Sequence, residues 1–211
     1  FAAQRRILQA LTHPRWAFEV GVLGRPHDLG NISRYRGQAT GLADYIGWLA
    51  ANFDPSISWS DLEWLRDVWQ GQIIIKGILD PEDARDAVRF AADGIVVSNH
   101  GGRNLDVTMA PIEVLPDVLT AVGKRIKVIV DSGFRRGSDV VKALALGADM
   151  VYIGRSTLYG VGAGGEAGAA RAINIFREEI DRVMALIGVR SVAEINPDYL
   201  VLPEHVKPPQ R

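Results

Sequence analysis

The pattern of apolar and polar positions changes character near residue 70. Beyond that point a short unbroken apolar run, a loop and an amphipathic segment follow one another repeatedly. Apolar runs of four or five residues bounded by turn residues read as strands covered on both faces, and apolar positions recurring every three to four residues read as helices. The predicted strands are Gln72 to Lys76, Gly94 to Ser98, Lys127 to Asp131 and Met150 to Gly154. The predicted helices run from Pro81 to Ala92, Pro111 to Val122 and Ser138 to Leu146. Two of them open on proline, whose fixed φ and missing N–H suit the first helical position. Before residue 70 no strand pattern occurs. Residues 1–12 and 38–52 have helical spacing and are joined by a Gly, Pro, Asn and Arg-rich connection from His13 to Gly37. Asp61 to Trp69 is a further short helix, with Ser60 and Asp61 as its expected caps. Strands alternating with helices specify a parallel α/β sheet.

The ends of the strands indicate which α/β architecture this is. Each releases polar residues at its C-terminal end: Lys76; Ser98 with His100 and Arg103; Asp131 with Ser132 and Gly133; Gly154 with Arg155. Contributions from every successive strand suit the mouth of a (β/α)₈ barrel, whereas a doubly wound sheet gathers its site at one switch point. A barrel has eight strands in about 250 residues, and four are visible here. The expected fold is therefore the C-terminal half of a TIM barrel, strands 5–8, preceded by a helical and loop segment. Residues 1–69 would form the connection between strands four and five, 70–165 the half barrel with its site, and 166–211 C-terminal helices and tail of the same domain.

Composition removes several classes of function. A formal net charge of -1 and the lack of a long basic run argue against nucleic acid as a partner. The absence of cysteine rules out disulfides and cysteine-ligated zinc, and no metal site is read from the remaining residues. No apolar run reaches the eighteen or so residues of a membrane span.

The candidate chemistry lies at Gly94 to Asp106, G-I-V-V-S-N-H-G-G-R-N-L-D. His100 is a titratable base, and Arg103 is a fork that matches a carboxylate. Together they point to chemistry on a small acid. The later loops D-S-G-F-R-R-G-S-D and I-G-R-S occupy positions where such barrels bind phosphate, with Ser132, Gly133 and Gly154 supplying backbone amides and Arg135 and Arg155 supplying charge. Lys76 would direct a fixed positive charge across the mouth.

The strings K-G-I-L-D-P-E-D-A, S-N-H-G-G-R-N-L-D, D-S-G-F-R-R-G-S-D-V-V-K-A-L-A-L-G-A-D and I-G-R-S-T-L-Y-G resemble the FMN-dependent (S)-2-hydroxy-acid oxidase and dehydrogenase family. That family includes flavin L-lactate dehydrogenases, glycolate oxidase and (S)-mandelate dehydrogenase. The resemblance spans roughly residues 55–200, with Asn104 standing where many members have glutamine. It implies oxidation of an (S)-2-hydroxy acid, mandelate or L-lactate, to the 2-oxo acid, with His100 as base, Arg103 as the carboxylate clamp and Lys76 beside the reduced flavin. Ser98 would approach the flavin ring, and Asp131, Ser132, Gly133, Arg135, Gly154 and Arg155 would carry the ribityl phosphate end of FMN.

The same resemblance implies an electron acceptor, a quinone, cytochrome or O₂, with a dehydrogenase favoured over an oxidase. It further implies a missing N-terminal half of the barrel and a homo-oligomer, a tetramer. Residues 1–50 carry six arginines against three carboxylates, with Trp16, Phe18, Val20, Val22 and Leu23 among them. In membrane-associated members the corresponding insertion contacts the bilayer, so the resemblance implies a cytoplasmic protein that could attach peripherally to the inner face of the cell membrane. Two other readings fit the same residues: another FMN or phosphate-binding TIM-barrel enzyme, and a non-catalytic half-barrel fragment.

Overall fold

A computed structural model describes residues 2–25, 30–36, 42–203, 206, 208 and 209. The chain forms two compact units, Phe1–Ile57 and Ser58–Arg211. The first contains α1 (Ala2–Thr12), α2 (Pro14–Phe18) running into a π-helical turn at Glu19–Leu23, α3 (Gly30–Arg36) and α4 (Leu42–Asn52). Residues 38–41 of the expected second helix lie outside the described residues. The expected irregular connection from His13 to Gly37 is corrected by α2, the π-helical turn and α3. Pro14 is the reason at its start: it ends α1 and occupies the first turn of α2, where Arg15 Nε then pairs with Glu19 Oε1 at 2.8 Å. No described residue of this unit is buried.

The second unit opens with α5 (Asp61–Val68) and continues as β1 (Ile74–Ile78), α6 (Pro81–Arg89), β2 (Gly94–Val97), α7 (Pro111–Val122), β3 (Lys127–Val130), α8 (Gly137–Leu146), β4 (Met150–Val151) and α9 (Arg155–Leu186). The strands form one parallel sheet in the order β1-β2-β3-β4, without reversal. Strand β1 lies two residues later than expected, so Lys76 sits inside it. Its pairing with β2 slips between Lys76 and Ile78, where Gly77 adopts φ +103°. Strand β4 is shorter than its apolar run, and α6 stops at Arg89, before Ala91 turns to φ +56°. Asp80 and Pro81 open α6 as their types predict: the Asp80 carboxylate accepts from the Glu82 amide at 2.7 Å. At α5 the expected Ser60 side-chain cap is not made; Asp61 instead reaches back and accepts from the Ser58 amide at 2.7 Å.

Strand alternation assigns the two faces. Ile95, Val97, Val128 and Val130 pack with Ala84 and Ala87 of α6, Leu115, Val118, Leu119 and Val122 of α7, and Ala143 and Leu146 of α8. The opposite face carries the paired row Lys76, Val96, Ile129 and Met150. Two residues further along β2 and β3, this face reaches Ser98 and Asp131. The N-terminal end of the sheet is tied by a repeated device. Asp93, just before β2, accepts from the amide of Ile73, and Asp149, just before β4, accepts from the amide of Val128, at 2.8 and 2.9 Å.

Helix α9 is broken at Gly164 and Gly165, and its two legs touch at Gly160 and Gly168. A Cβ on Gly160 would overlap the Gly168 carbonyl oxygen, and one on Gly168 would overlap that of Gly160. The second leg docks on α8 through Glu179. Its carboxylate accepts from the Gly137 amide at 2.7 Å and from Arg136 Nε at 2.8 Å. These donors, Arg136 foremost, hold the Glu179 carboxyl below its ordinary pKa. A Cβ on Gly137 would lie 2.5 Å from Glu179 Cβ and 2.6 Å from the Ile180 nitrogen. The substitution Gly137→Ala is expected to destabilise the full-length protein by about 1–3 kcal/mol through this overpacking, measured by denaturant unfolding beside the parent.

Candidate active site

At the C-terminal ends of the four strands the polar residues converge. Lys76 Nζ pairs with Asp131 Oδ2 at 2.8 Å, and so spans the end of β2 from β1 to β3. The ammonium also donates to the hydroxyl of Ser98, a buried residue. Ser132 Oγ donates to Asp131 Oδ1 at 2.8 Å. Burial alone would push the Asp131 carboxyl up, but hydrogen bonds from Lys76, Ser98 and Ser132, with the lysine charge, outweigh it and hold the group below its ordinary range.

The segment after β2 coils into a left-handed turn. His100, Gly101 and Gly102 have φ of +55°, +70° and +74°. For His100, which has a Cβ, this conformation is uncommon and needs support. The His100 amide donates to Ser98 Oγ at 3.1 Å, and the Gly101 amide to Ser132 Oγ at 3.0 Å. Asn99 closes the turn: its side-chain oxygen accepts from the Gly102 amide at 3.2 Å, and its Nδ2 donates to the Met109 carbonyl at 3.3 Å.

The loop after β3 and the start of α9 meet this turn. A Cβ on Gly101 would lie 2.8 Å from Arg155 Nη2, so the guanidinium rests against bare backbone. Ser156 Oγ donates to the Phe134 carbonyl at 3.0 Å and joins the loops after β3 and β4. At Gly133 and Gly154 a Cβ would meet no atom within 4 Å, so both leave the wall smooth toward open space.

The result is a cleft of about 620 Å³. Nine of the ten residues expected at the site line it: Lys76, His100, Arg103, Asp131, Ser132, Gly133, Arg135, Gly154 and Arg155. Ser98, the tenth, lines an adjoining hollow of about 360 Å³ with Lys76, His100, Asn104 and Leu105. Among the described residues Asp131 is the single carboxylate in the cleft wall, against Lys76, Arg103, Arg135 and Arg155. Among the described residues no carboxylate pairs with any of the three arginines. Such a cleft attracts anions. Asn99, Ser156, Tyr152 and Tyr159 stand here in addition to the residues expected from the sequence. Tyr152 follows the strand alternation, two residues beyond Met150; Asn99 bonds within its own loop and Ser156 to the loop after β3, and neither leaves a periodic signal.

The FMN-dependent dehydrogenase pattern matches residues 1–202. The L-lactate dehydrogenase of Xanthomonas campestris pv. campestris (strain 8004) is 61% identical over 199 residues, which are 94% of this chain and 52% of that protein. The L-lactate dehydrogenase of Pseudomonas aeruginosa (strain LESB58) is 59% identical over 95% of this chain and 53% of its own length. The chain thus spans about half the length of the curated relatives it matches. Among solved structures, the monotopic membrane protein (S)-mandelate dehydrogenase superposes with a TM-score of 0.74 at 44% identity, covering 77% of this chain and 43% of that one. A flavocytochrome b2 variant with benzoylformate gives 0.67 at 44% identity, covering 69% and 38%. The pattern's match runs through every strand and loop that builds the cleft, and on it, with the identity to these relatives, the chain belongs to the FMN-dependent dehydrogenase family.

Proposed function

We propose that this chain forms strands 5–8 of a (β/α)₈ barrel, and that the complete barrel oxidises a small (S)-2-hydroxy acid, L-lactate foremost, to the 2-oxo acid with FMN as cofactor. The half-barrel reading is supported by a sheet order that never reverses and by β1 and β4, each with one open edge. Exposed Ile74 and Met150 on the face opposite the helices also support it. The observation that carries the activity is the joining of His100 and Arg103 in one cationic cleft beside the Lys76–Asp131 pair.

The residues fit flavin mononucleotide. Gly133 and Gly154 leave room for close approach at the cleft wall, and the guanidinium groups of Arg135 and Arg155, which among the described residues form no ion pair, suit a phosphate. When bound, FMN would take up the two electrons that leave the substrate. Arg103 would grip the substrate carboxylate as a planar fork, and His100 would accept the proton that the substrate loses. Lys76, oriented by Asp131, would hold a fixed positive charge where electron density accumulates. The curated relatives are named L-lactate dehydrogenase, which favours L-lactate over mandelate and a dehydrogenase over an oxidase.

The site assignment is tested on the full-length flavoprotein by anaerobic addition of L-lactate and, separately, (S)-mandelate. Bleaching of the flavin band by L-lactate is expected, slowed about 10²- to 10⁴-fold in His100→Ala. Unchanged reduction in that variant would sink the assignment. Arg103→Lys is expected to raise KM for L-lactate about 10- to 100-fold, read from steady-state rates. Peripheral attachment draws support from the exposed Trp16, Phe18, Val22 and Leu23 near Arg15. Fractionation of cells expressing the full-length protein should find it with membranes at low salt; recovery wholly in the supernatant would count against attachment. No described helix is long and apolar enough to cross a membrane.

A further inference from the structure

Two serine hydroxyls connect the left-handed turn at His100 to the Lys76–Asp131 ion pair, and the direction of each bond follows from what its partners can do. A hydroxyl has one proton and two lone pairs, a lysine ammonium only donates, and an ionised carboxylate only accepts. Ser98 accepts from Lys76 and from the His100 amide, which leaves its single proton for Asp131. Ser132 spends its proton on Asp131 Oδ1 and so presents a lone pair to the Gly101 amide. The ion pair thereby orients both hydroxyls, and the hydroxyls hold two successive amides whose residues have φ of +55° and +70°.

We propose that Ser132 is a positioning residue that keeps the His100–Gly101 turn in place and couples it to the intact Lys76–Asp131 pair, its hydroxyl being committed to this link rather than to the phosphate end of the cofactor. The proposal rests on the functional reading above in taking His100 as the base. Ser132 itself has φ +74°, so glycine at this position removes the hydroxyl and keeps the backbone conformation without strain.

The test uses Ser132→Gly in the full-length protein, with Ser132→Ala as a second variant that retains Cβ. In the flavin-free protein, hydrogen exchange of a peptide covering residues 99–103 is expected to speed up about five- to tenfold, the scale of one lost hydrogen bond. In the flavin-loaded protein, kcat for L-lactate should fall about tenfold with KM changed less than about twofold, while FMN affinity stays the same. The acidic limb of kcat should also move to higher pH. Asp131 loses a donor that stabilises its charged form, its pKa rises, and the pair breaks at a higher pH; among the described residues Lys76, His100, Arg103, Arg135, Tyr152, Arg155 and Tyr159 are the other ionisable groups of the cleft. Unchanged exchange together with weakened FMN binding would overturn the proposal and return Ser132 to the cofactor. A parent protein that oxidises no 2-hydroxy acid would defeat the functional reading alone, because the exchange comparison still decides whether the hydroxyl holds the turn.

Discussion

The ion pair between Lys76 and Asp131 is the constraint around which the cleft is arranged. Its partners come from β1 and β3, which are not neighbours in the sheet, so the contact crosses the end of β2 and traps Ser98 beneath it. With the lysine side chain 44% exposed, the pair adds little to stability, as partly solvated ion pairs do. Its effect is geometric. A carboxylate at this place, with its charged form favoured, decides which way two hydroxyls point, and those hydroxyls decide where the histidine turn sits.

The two ends of the sheet use the same kind of side chain for different ends. At the N-terminal edge, Asp93 and Asp149 each take the amide of an earlier strand or its approach, Ile73 or Val128, and so stitch segments together. At the opposite edge, Asp131 takes side-chain donors and organises a cleft. This separation of fastening from chemistry follows from parallel strands, whose C-terminal ends all open toward one side.

Much of this arrangement was legible in the residues. Helix α7 begins and ends where Pro111 and Val122 place it, and β2 and β3 each end one residue before the predicted limit, because buried parallel strands leave long apolar runs. The residues expected at the site do meet, since they stand near the C-terminal ends of the strands or in the segments that follow, and the sheet aligns those ends. What could not be read has both local and distant causes. Gly77 slips the register of β1, and Pro14 opens a helix inside a stretch rich in turn residues. The division of labour between Ser98 and Ser132 depends on which strands lie side by side and on a hydroxyl's single proton, and neither leaves a period in the sequence.

The crossing of Gly160 and Gly168 extends the reach of the cleft beyond its walls. Arg155 begins the first leg of α9, the two legs are pressed together at these glycines, and the second leg is clamped to α8 by Glu179. The arginine's position is therefore inherited through backbone contact from a joint that does not border the cleft. Variants at Gly160 or Gly168 would disturb the cleft from outside its lining, so a map of functional positions drawn from a mutational screen would enclose a joint that only supports the cleft wall.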